Sequence, residues 1–206
     1  YIRNQQTVKT KVGPLVSSGK MTEDDHQVAE LLQDFFQSVF VQEDNKNLPD
    51  FPDMVGVDEA LIQISVDTAE VLKELKHLKT DKAAGPDEIP AILLNRCAEE
   101  LAEPLRRFFQ KTIEEGIVPE DWKKAKIAPI HKKGSKKNAS NYRPVSLTSQ
   151  VCKILERIIR KHIINHLDLY QLITPFQHGF VQKKSCQTNL LVALEDWTRA
   201  LDEGHD

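Results

Sequence analysis

The sequence predicts an α+β protein that is mostly helical and contains one basic two-stranded β-hairpin. Several segments repeat apolar residues every three or four positions, which is the period of an amphipathic helix. The segment 122–147 instead alternates on both sides of a turn-rich middle, as two paired strands do. No run of about 18 apolar residues occurs, so no transmembrane helix is indicated.

Charge is unevenly distributed along the 206 residues, although the net charge is only −3. Residues 1–121 hold 13 Lys and Arg against 24 Asp and Glu, a net of −11, and residues 122–206 hold 15 against 7, a net of +8. This asymmetry indicates a polyanionic partner for the second part, with a solvated basic face as the alternative. Three widely spaced cysteines favour reduced intracellular thiols over a disulfide framework or a zinc site.

The amino-terminal region is expected to contain one helix. Residues 1–21 are polar and aperiodic and are predicted to be a poorly ordered lead-in. Thr22 and Asp25 resemble a capping box, and the apolar spacing after them predicts a helix over roughly 23–41. Residues 42–64, which contain two prolines, are expected to form a linker.

A second helix is predicted to start at another capping box, formed by Asp67 and Glu70. It is predicted to run to about Lys79, and it must end before Gly85-Pro86, because proline disfavours helical backbone in the residue that precedes it.

Three further helices follow in the prediction. The first covers 90–115, restarts or kinks at Pro104 and ends at Gly116. The other two begin after Ser149 and Ser185, whose hydroxyl groups can cap them.

The segment from Trp122 to Leu147 concentrates positive charge and contains no acidic residue. Its cations are Lys123, Lys124, Lys126, Lys132, Lys133, Lys136, Lys137 and Arg143. Strands are predicted over 126–132 and 142–147, joined by a turn over 134–141, with Ile127 and Ile130 as the anchors of the first strand. A ribbon with such a cationic tip is suited to binding polyphosphate.

Lys132 ends the first predicted strand and Arg143 begins the second, so the two can face the same side near the tip. Two neighbouring cations, one of them a guanidinium fork, suit a triphosphate. A basic hairpin that binds nucleic acid without sequence preference is the alternative explanation. Tyr142 is the aromatic residue predicted to stack on a base.

Four motifs follow one another along the chain: GPDEIP from Gly85, WKKAKIAPIHKKG from Trp122, NYRPVSLTSQVCKILERII from Asn141 and QHGF from Gln177. In this order and spacing they resemble the amino-terminal half of the reverse transcriptase of non-LTR retrotransposons of the jockey type. The resemblance covers about residues 70–206. Residues 1–69 then resemble the connector that follows the element's endonuclease domain.

The resemblance implies a right-hand polymerase in which this chain forms the fingers and the beginning of the palm. The ribbon would close over the incoming deoxynucleoside triphosphate, with Lys132 and Arg143 on its phosphates. The RNA template, the DNA primer and the rest of the palm and thumb would be partners, in the nucleus and cytoplasm. The residues expected to contact template or other nucleic acid are Lys79, Lys82, Gly85, Lys133, Lys136, Lys137, Tyr142, Gln177, Gly179 and Phe180.

The same resemblance implies phosphoryl transfer by two metal ions held by aspartates, with Mg²⁺ expected for the full-length enzyme. The family carries these aspartates in a Phe-x-Lys-Ala-Phe-Asp-like strand and a Tyr-x-Asp-Asp-like hairpin, and neither occurs in this sequence. No catalytic residue and no bound metal are therefore predicted for this chain alone. Two smaller departures are Val181, where the family commonly has arginine, and Glu88, where it commonly has glycine.

Two other functions stay open at this point. The chain could be a non-catalytic relic that keeps the ribbon and the following basic helix as an RNA-binding surface. It could also be an inert scaffold that docks through Phe35 and Phe36, which predicts no salt-dependent affinity for RNA. A half-palm leaves apolar faces and sheet edges without partners, so marginal stability or self-association is expected of the isolated chain.

Overall fold

The computed structural model describes residues 12–17, 19–41 and 60–204. These residues form two compact units. The first unit contains the described residues up to 41 together with 62–159, and the second contains 60–61 and 160–204. The predicted linker lies outside the described residues except at 60–64, which form neither helix nor strand.

The chain is α+β and mostly helical, as predicted. In order, its elements are β1 (Leu15–Ser17), β2 (Lys20–Thr22), α1 (Asp25–Ser38), α2 (Thr68–Lys76), α3 (Ala91–Arg96), α4 (Ala98–Glu115), β3 (Lys126–His131), β4 (Tyr142–Leu147), α5 (Gln150–Leu169) and α6 (Cys186–Asp202). The described strands form two antiparallel pairs, β1 with β2 and β3 with β4. None of the described helices is long and apolar enough to cross a membrane.

The amino-terminal region is more ordered than predicted. Because β1 and β2 pair as strands and Leu15 is fully buried, the expected disordered lead-in is wrong for the described residues. Helix α1 is capped by Asp24, whose carboxylate accepts the Gln27 N–H at 3.0 Å, and not by Thr22. Strands of three residues are too short to show a periodic signal in a sequence.

The core of the first unit lies where α2, α4 and the first turns of α5 pack together. Its buried residues are Val66, Val71, Leu75, Leu78, Leu94, Ala98, Ala102, Phe109, Val151, Ile154, Leu155 and Ile158. The two predicted serine caps are confirmed. The Ser149 hydroxyl accepts the Val151 N–H, and the Ser185 hydroxyl accepts the Thr188 N–H at the start of α6.

Helix α2 begins directly after Asp67, as predicted, but the Asp67 side chain makes no capping hydrogen bond. One predicted helix boundary is wrong. The break in the 90–115 region falls at Cys97, between α3 and α4, whereas Pro104 lies inside α4. Ala102 and Phe109, on either side of this proline, are buried in the core, so packing offsets the one backbone hydrogen bond that proline loses.

The basic ribbon forms as predicted from β3 and β4, with Ile130 opposite Arg143 and His131 opposite Tyr142. The predicted anchors Ile127 and Ile130 are wrong, because these side chains are 52% and 53% exposed. The ribbon is anchored instead near its tip, through Tyr142. The alternation of apolar and polar residues does not show which part of a two-stranded ribbon packs against other elements.

A second small core joins the ribbon to the amino-terminal region. Its buried residues are Leu15, Val28, Leu32 and Tyr142. They come from β1, α1 and β4, so the region expected to be only a connector packs against the ribbon.

Gly85 lies directly against the start of α5, and α2 ends before this glycine, as predicted, with its last residue at Lys76. A Cβ atom built on Gly85 would lie 2.6 Å from the Ser149 nitrogen and 2.6 Å from the Thr148 carbonyl carbon. Next to it, the Gln150 side-chain amide donates to the Ala83 carbonyl at 2.7 Å. The missing side chain at position 85 therefore lets the segment after α2 touch the junction of β4 and α5.

The turn after Gly85 explains the departure at Glu88. The Glu88 N–H donates to the Gly85 carbonyl at 3.2 Å, and Glu88 has a φ of 56°, a conformation that glycine adopts most easily. Its exposed carboxylate lies 3.1 Å from the Lys126 ammonium group. The acid is therefore tolerated as an ion-pair partner at a position that favours glycine.

Glu103 ties α2 to α4. Its carboxylate accepts the Thr68 hydroxyl at 2.7 Å and pairs with Arg106 at 2.9 Å and with Arg107 at 2.8 Å. These hydrogen bonds, the one from Arg106 above all, hold the pKa of Glu103 well below its ordinary value of 4.5. The carboxylate thus stays charged in acid and keeps the start of α2 in place.

The second unit exposes an apolar row on α6. Its members are Leu190, Leu191, Leu194, Trp197 and Leu201, all more than half exposed. This agrees with the expectation of apolar faces without partners, while the marginal stability of the isolated chain stays a prediction.

Gly85→Ala should destabilise the protein, because the new methyl group must displace backbone atoms of residues 148 and 149. Overpacking of this kind costs about 1–3 kcal/mol. Urea denaturation measures the free energy of unfolding. The control is Gly13→Ala, since a Cβ atom there meets nothing within 4 Å. Equal stability of the two variants would contradict the close contact.

Candidate nucleic-acid interface

The cations of the ribbon divide into a paired group and an unpaired group. The lysines at the start of β3 and just before it form ion pairs with acidic residues: Lys123 with Glu120, Lys124 with Asp121 and Lys126 with Glu88. The tip cations are exposed and form no ion pair among the described residues: Lys132, Lys133, Lys136, Lys137 and Arg143. Positive charge is therefore uncompensated at the tip, where it attracts a polyanion most strongly.

The strand register places Lys132 and Arg143 on one face of the ribbon. Arg143 lies opposite Ile130, and the Lys132 N–H donates to the Asn141 carbonyl at 2.8 Å, which continues the register beyond β3. Residues directly opposite share a face, as do residues two apart, so Lys132 and Arg143 are diagonal neighbours. Diagonal neighbours are separated by roughly 7 Å, a gap that two long cationic side chains can close around one phosphate group.

Three consecutive carbonyl groups of the tip loop are held by donors from within the first unit. The donors are the Asn141 side-chain amide to Ser135 at 2.9 Å, the Tyr142 hydroxyl to Lys136 at 2.8 Å and the Val16 N–H to Lys137 at 2.8 Å. These bonds fix the backbone of the loop. The lysine side chains therefore project into solvent from an ordered turn.

Tyr142, the predicted stacking residue, packs inside the first unit. Its side chain is 5% exposed, and its ring centre lies 5.5 Å from that of His131. Its hydroxyl donates to the Lys136 carbonyl. The ring of Tyr142 therefore faces the small core and not the solvent, so it is not accessible for stacking on a base. Its hydroxyl group instead stabilises the tip loop.

Lys79 and Lys82 line a groove at the base of the ribbon. The groove has a volume of about 420 Å³ and lies between the segment after α2 and the first turns of α5. Leu147, the last residue of β4, also lines it. Gly85, which was predicted to contact template, is buried. Its backbone contacts residues 148 and 149, and this contact joins the two sides of the groove.

Lys153 and Arg157 line the same groove and were not among the residues predicted for the site. They are four residues apart and therefore share one face of α5. The helical spacing in the sequence shows that Lys153 and Arg157 share a face. Lys79 and Lys82 lie across the groove from this face because of the tertiary contact at Gly85. No local sequence pattern indicates that contact.

The loop of the second unit contains Gln177, Gly179 and Phe180. The Gln177 side-chain amide donates to the Gly179 carbonyl at 2.9 Å. Phe180 is fully exposed and has a φ of 62°, a left-handed conformation that is rare for a bulky residue. An exposed aromatic ring on strained backbone adds nothing to the core of the unit, which favours a role in ligand contact.

This loop and the carboxyl-terminal part of α5 line a cavity of about 580 Å³. Arg160 and Lys183 line it beside Phe180 and Val181, together with the acidic residue Asp168. Two cations thus lie around Val181, the position where the family commonly has arginine.

The described part of the chain contains no group of three or more His, Cys, Asp or Glu side chains that could hold a metal ion. The described residues therefore do not supply the cluster of aspartates that the resemblance implies for Mg²⁺. The three cysteines are free. Burial, with a smaller contribution from the Glu156 carboxylate, raises the pKa of the Cys152 thiol to about 11, so this thiol is not a nucleophile at neutral pH.

Three proteins of Drosophila melanogaster are similar to this chain. The RNA-directed DNA polymerase from mobile element jockey is 31% identical over 121 residues, which are 58% of this chain and 13% of that protein. The probable RNA-directed DNA polymerase from transposon BS is 27% identical over 117 residues, 56% of this chain and 13% of the relative. That from transposon X-element is 27% identical over 112 residues, 54% of this chain and 12% of the relative.

No protein-family model matches the chain. The chain covers only 12–13% of the length of the three relatives. The comparison nevertheless confirms the resemblance predicted from the sequence motifs. Over more than half of its length, this chain is similar to part of the RNA-directed DNA polymerases, or reverse transcriptases, of non-LTR retrotransposons.

Proposed function

We propose that this chain forms the fingers and palm entry of a right-hand, RNA-directed DNA polymerase of a non-LTR retrotransposon. The observation that carries the proposal is the unpaired cationic tip, on which the strand register brings Lys132 and Arg143 to one face. The similarity to polymerases of mobile elements supports the choice of nucleotide and RNA as ligands.

Lys132 and Arg143 hold the phosphates of the incoming deoxynucleoside triphosphate. The guanidinium group of Arg143 offers two parallel N–H donors to one phosphate, and Lys132 adds a compact positive charge beside it. Cations placed there also stabilise the negative charge that develops as pyrophosphate leaves. The tip loop needs little reorganisation to bind, because three of its carbonyl groups are already held.

Template RNA is the second proposed ligand. The contacts proposed in the first unit are Lys79, Lys82, Lys133, Lys136 and Lys137. Those proposed in the second unit are Gln177, Gly179 and Phe180, with the exposed Phe180 ring as the stacking surface. The DNA primer and the rest of the palm and thumb complete the proposed complex.

Removal of charge at the tip should weaken RNA binding and reduce its dependence on salt. The variant Lys136→Ala/Lys137→Ala should lower the slope of log affinity against log salt by ~1.4, because each single-strand phosphate contact contributes ~0.7. Fluorescence anisotropy of a labelled single-stranded RNA, titrated over a series of salt concentrations, measures this slope.

The matched control is Lys123→Ala/Lys124→Ala, which removes the same charge from neighbouring positions that are already paired with acids. If both variants lose the same amount of salt slope, RNA binding depends only on net charge. That result would contradict the assignment of the tip as the binding surface. If the parent chain has no measurable affinity for RNA at low salt, the proposed template binding is wrong.

Arg143 should matter more for the triphosphate than for RNA. Arg143→Ala loses a charge-assisted, two-pronged contact, so affinity for a deoxynucleoside triphosphate should fall about tenfold, equivalent to about 1.4 kcal/mol. Arg143→Lys keeps the charge without the fork and should give an intermediate value. Equilibrium binding of a fluorescent nucleotide measures the affinity of both Arg143 variants. The control is Arg107→Ala, which removes an exposed arginine elsewhere in the first unit. Unchanged nucleotide affinity in Arg143→Ala would contradict this role.

A further inference from the structure

The tip loop carries a serine in the middle of its lysines. Ser135 follows Lys132 and Lys133 and is itself followed by Lys136 and Lys137. Of all the serines and threonines in the sequence, Ser135 alone has basic residues at both the second and the third position before it. Protein kinases with an acidic substrate groove select serines by this charge pattern. The surroundings of Ser135 therefore suit such a basophilic kinase.

The hydroxyl group of Ser135 is accessible. The residue is exposed, and its hydroxyl oxygen accepts the Lys137 N–H at 3.3 Å. The hydroxyl hydrogen has no acceptor within the described part of the chain. The hydroxyl groups of Ser149 and Ser185, in contrast, cap the helices α5 and α6. Ser135 can therefore be modified without the loss of a helix cap.

The backbone before Ser135 is available to a second protein. An extended segment binds in a groove through backbone groups that its own fold leaves free. Among the described residues, neither Lys133 nor Gly134 takes part in a backbone–backbone hydrogen bond. Gly134 has a φ of 78°, and glycine changes its backbone conformation with little steric cost. The fixed carbonyl groups of the loop begin at Ser135, so the residues that a kinase reads before the serine belong to the less constrained half.

A phosphate group on Ser135 would lie among the tip cations. It carries a charge of about −1.5 to −2 at neutral pH and three strong acceptor oxygens. The Lys137 N–H already donates to the Ser135 hydroxyl oxygen, so it can donate to a phosphate oxygen instead. The neighbouring ammonium groups form no ion pair within the described part of the chain and would gain a partner in their own loop. The phosphate would therefore offset about two of the positive charges that attract a polyanion.

We propose that Ser135 is a phosphorylation site for a basophilic kinase and that its phosphate switches off polyanion binding at the tip. The serine oxygen attacks the γ-phosphorus of ATP and forms the new O–P bond. The bond from that phosphorus to the bridging oxygen breaks, ADP leaves, and the hydroxyl proton passes to a base of the kinase. The switch rests on the proposed function, because it needs a tip that binds polyanions, whereas the modification itself does not.

A kinase assay on the full 206-residue chain tests the modification. The probe is the catalytic subunit of a cyclic-AMP-dependent protein kinase with ATP and Mg²⁺, and mass spectrometry of the digested chain locates the phosphate. The expected product carries phosphate at Ser135, and Ser135→Ala should lose it. The control is Ser140→Ala, which removes another exposed serine of the same loop and should keep it. No phosphate at Ser135, or equal uptake by Ser135→Ala and the parent, would overturn the site.

RNA binding by the phosphorylated chain tests the switch. Its slope of log affinity against log salt should fall by ~1.4, because the charge of two single-strand phosphate contacts of ~0.7 each is offset. Fluorescence anisotropy of a labelled single-stranded RNA measures this slope, with a chain treated with kinase but without ATP as the reference. Kinase-treated Ser135→Ala should keep the slope of the parent.

Two substitutions of equal size separate charge from bulk. Ser135→Glu adds one negative charge and should lower the slope by ~0.7, whereas Ser135→Gln adds the same volume without charge and should leave the slope unchanged. An equal loss of slope in both variants would attribute the effect to bulk in the loop and would overturn the electrostatic switch.

The outcomes distinguish this proposal from the proposed function. If phosphate on Ser135 leaves the slope unchanged while Lys136→Ala/Lys137→Ala lowers it, the switch is overturned and the tip assignment stands. If the parent chain binds no RNA, the template binding and the switch both fail, and mass spectrometry alone decides the modification site.

Discussion

The contact between Gly85 and the amino end of α5 determines the shape of the groove at the base of the ribbon. With no side chain at position 85, the backbone after α2 rests on residues 148 and 149, where β4 ends and α5 begins. One contact therefore fixes the base of the ribbon, the first turn of α5 and the segment that carries Lys79 and Lys82. The groove lies between these parts.

A second set of contacts organises the opposite end of the ribbon. A free tip loop would lose much conformational entropy on binding a ligand, which would weaken the phosphate binding that we propose. Donors from Asn141, Tyr142 and Val16 hold three successive carbonyl groups and reduce that cost. Because Val16 belongs to β1, the amino-terminal region takes part in supporting the cationic tip and does more than connect.

Local signals in the sequence predicted the parts that depend on local physics. The Ser149 and Ser185 caps and the ribbon itself follow from propensity and alternation. The pairing of β1 with β2 was missed because strands of three residues are too short to show alternation. Ile127 and Ile130 were wrongly predicted as anchors because a sequence does not show which part of a strand another element covers. Lys79 and Lys82 and the basic helix α5 were each named from the sequence, but that they line one groove depends on a tertiary contact and was not predicted.

The central claim is that the unpaired cations of the tip, with Lys79 and Lys82 in the groove, form the RNA-binding surface. Lysine acetylation mapped by mass spectrometry, with and without a single-stranded RNA, tests it most directly. The account predicts protection of Lys79, Lys82, Lys132, Lys133, Lys136 and Lys137. It predicts unchanged reactivity at Lys111, Lys123 and Lys124, whose side chains pair with acids. Equal protection of both groups, or protection of neither, would contradict the account.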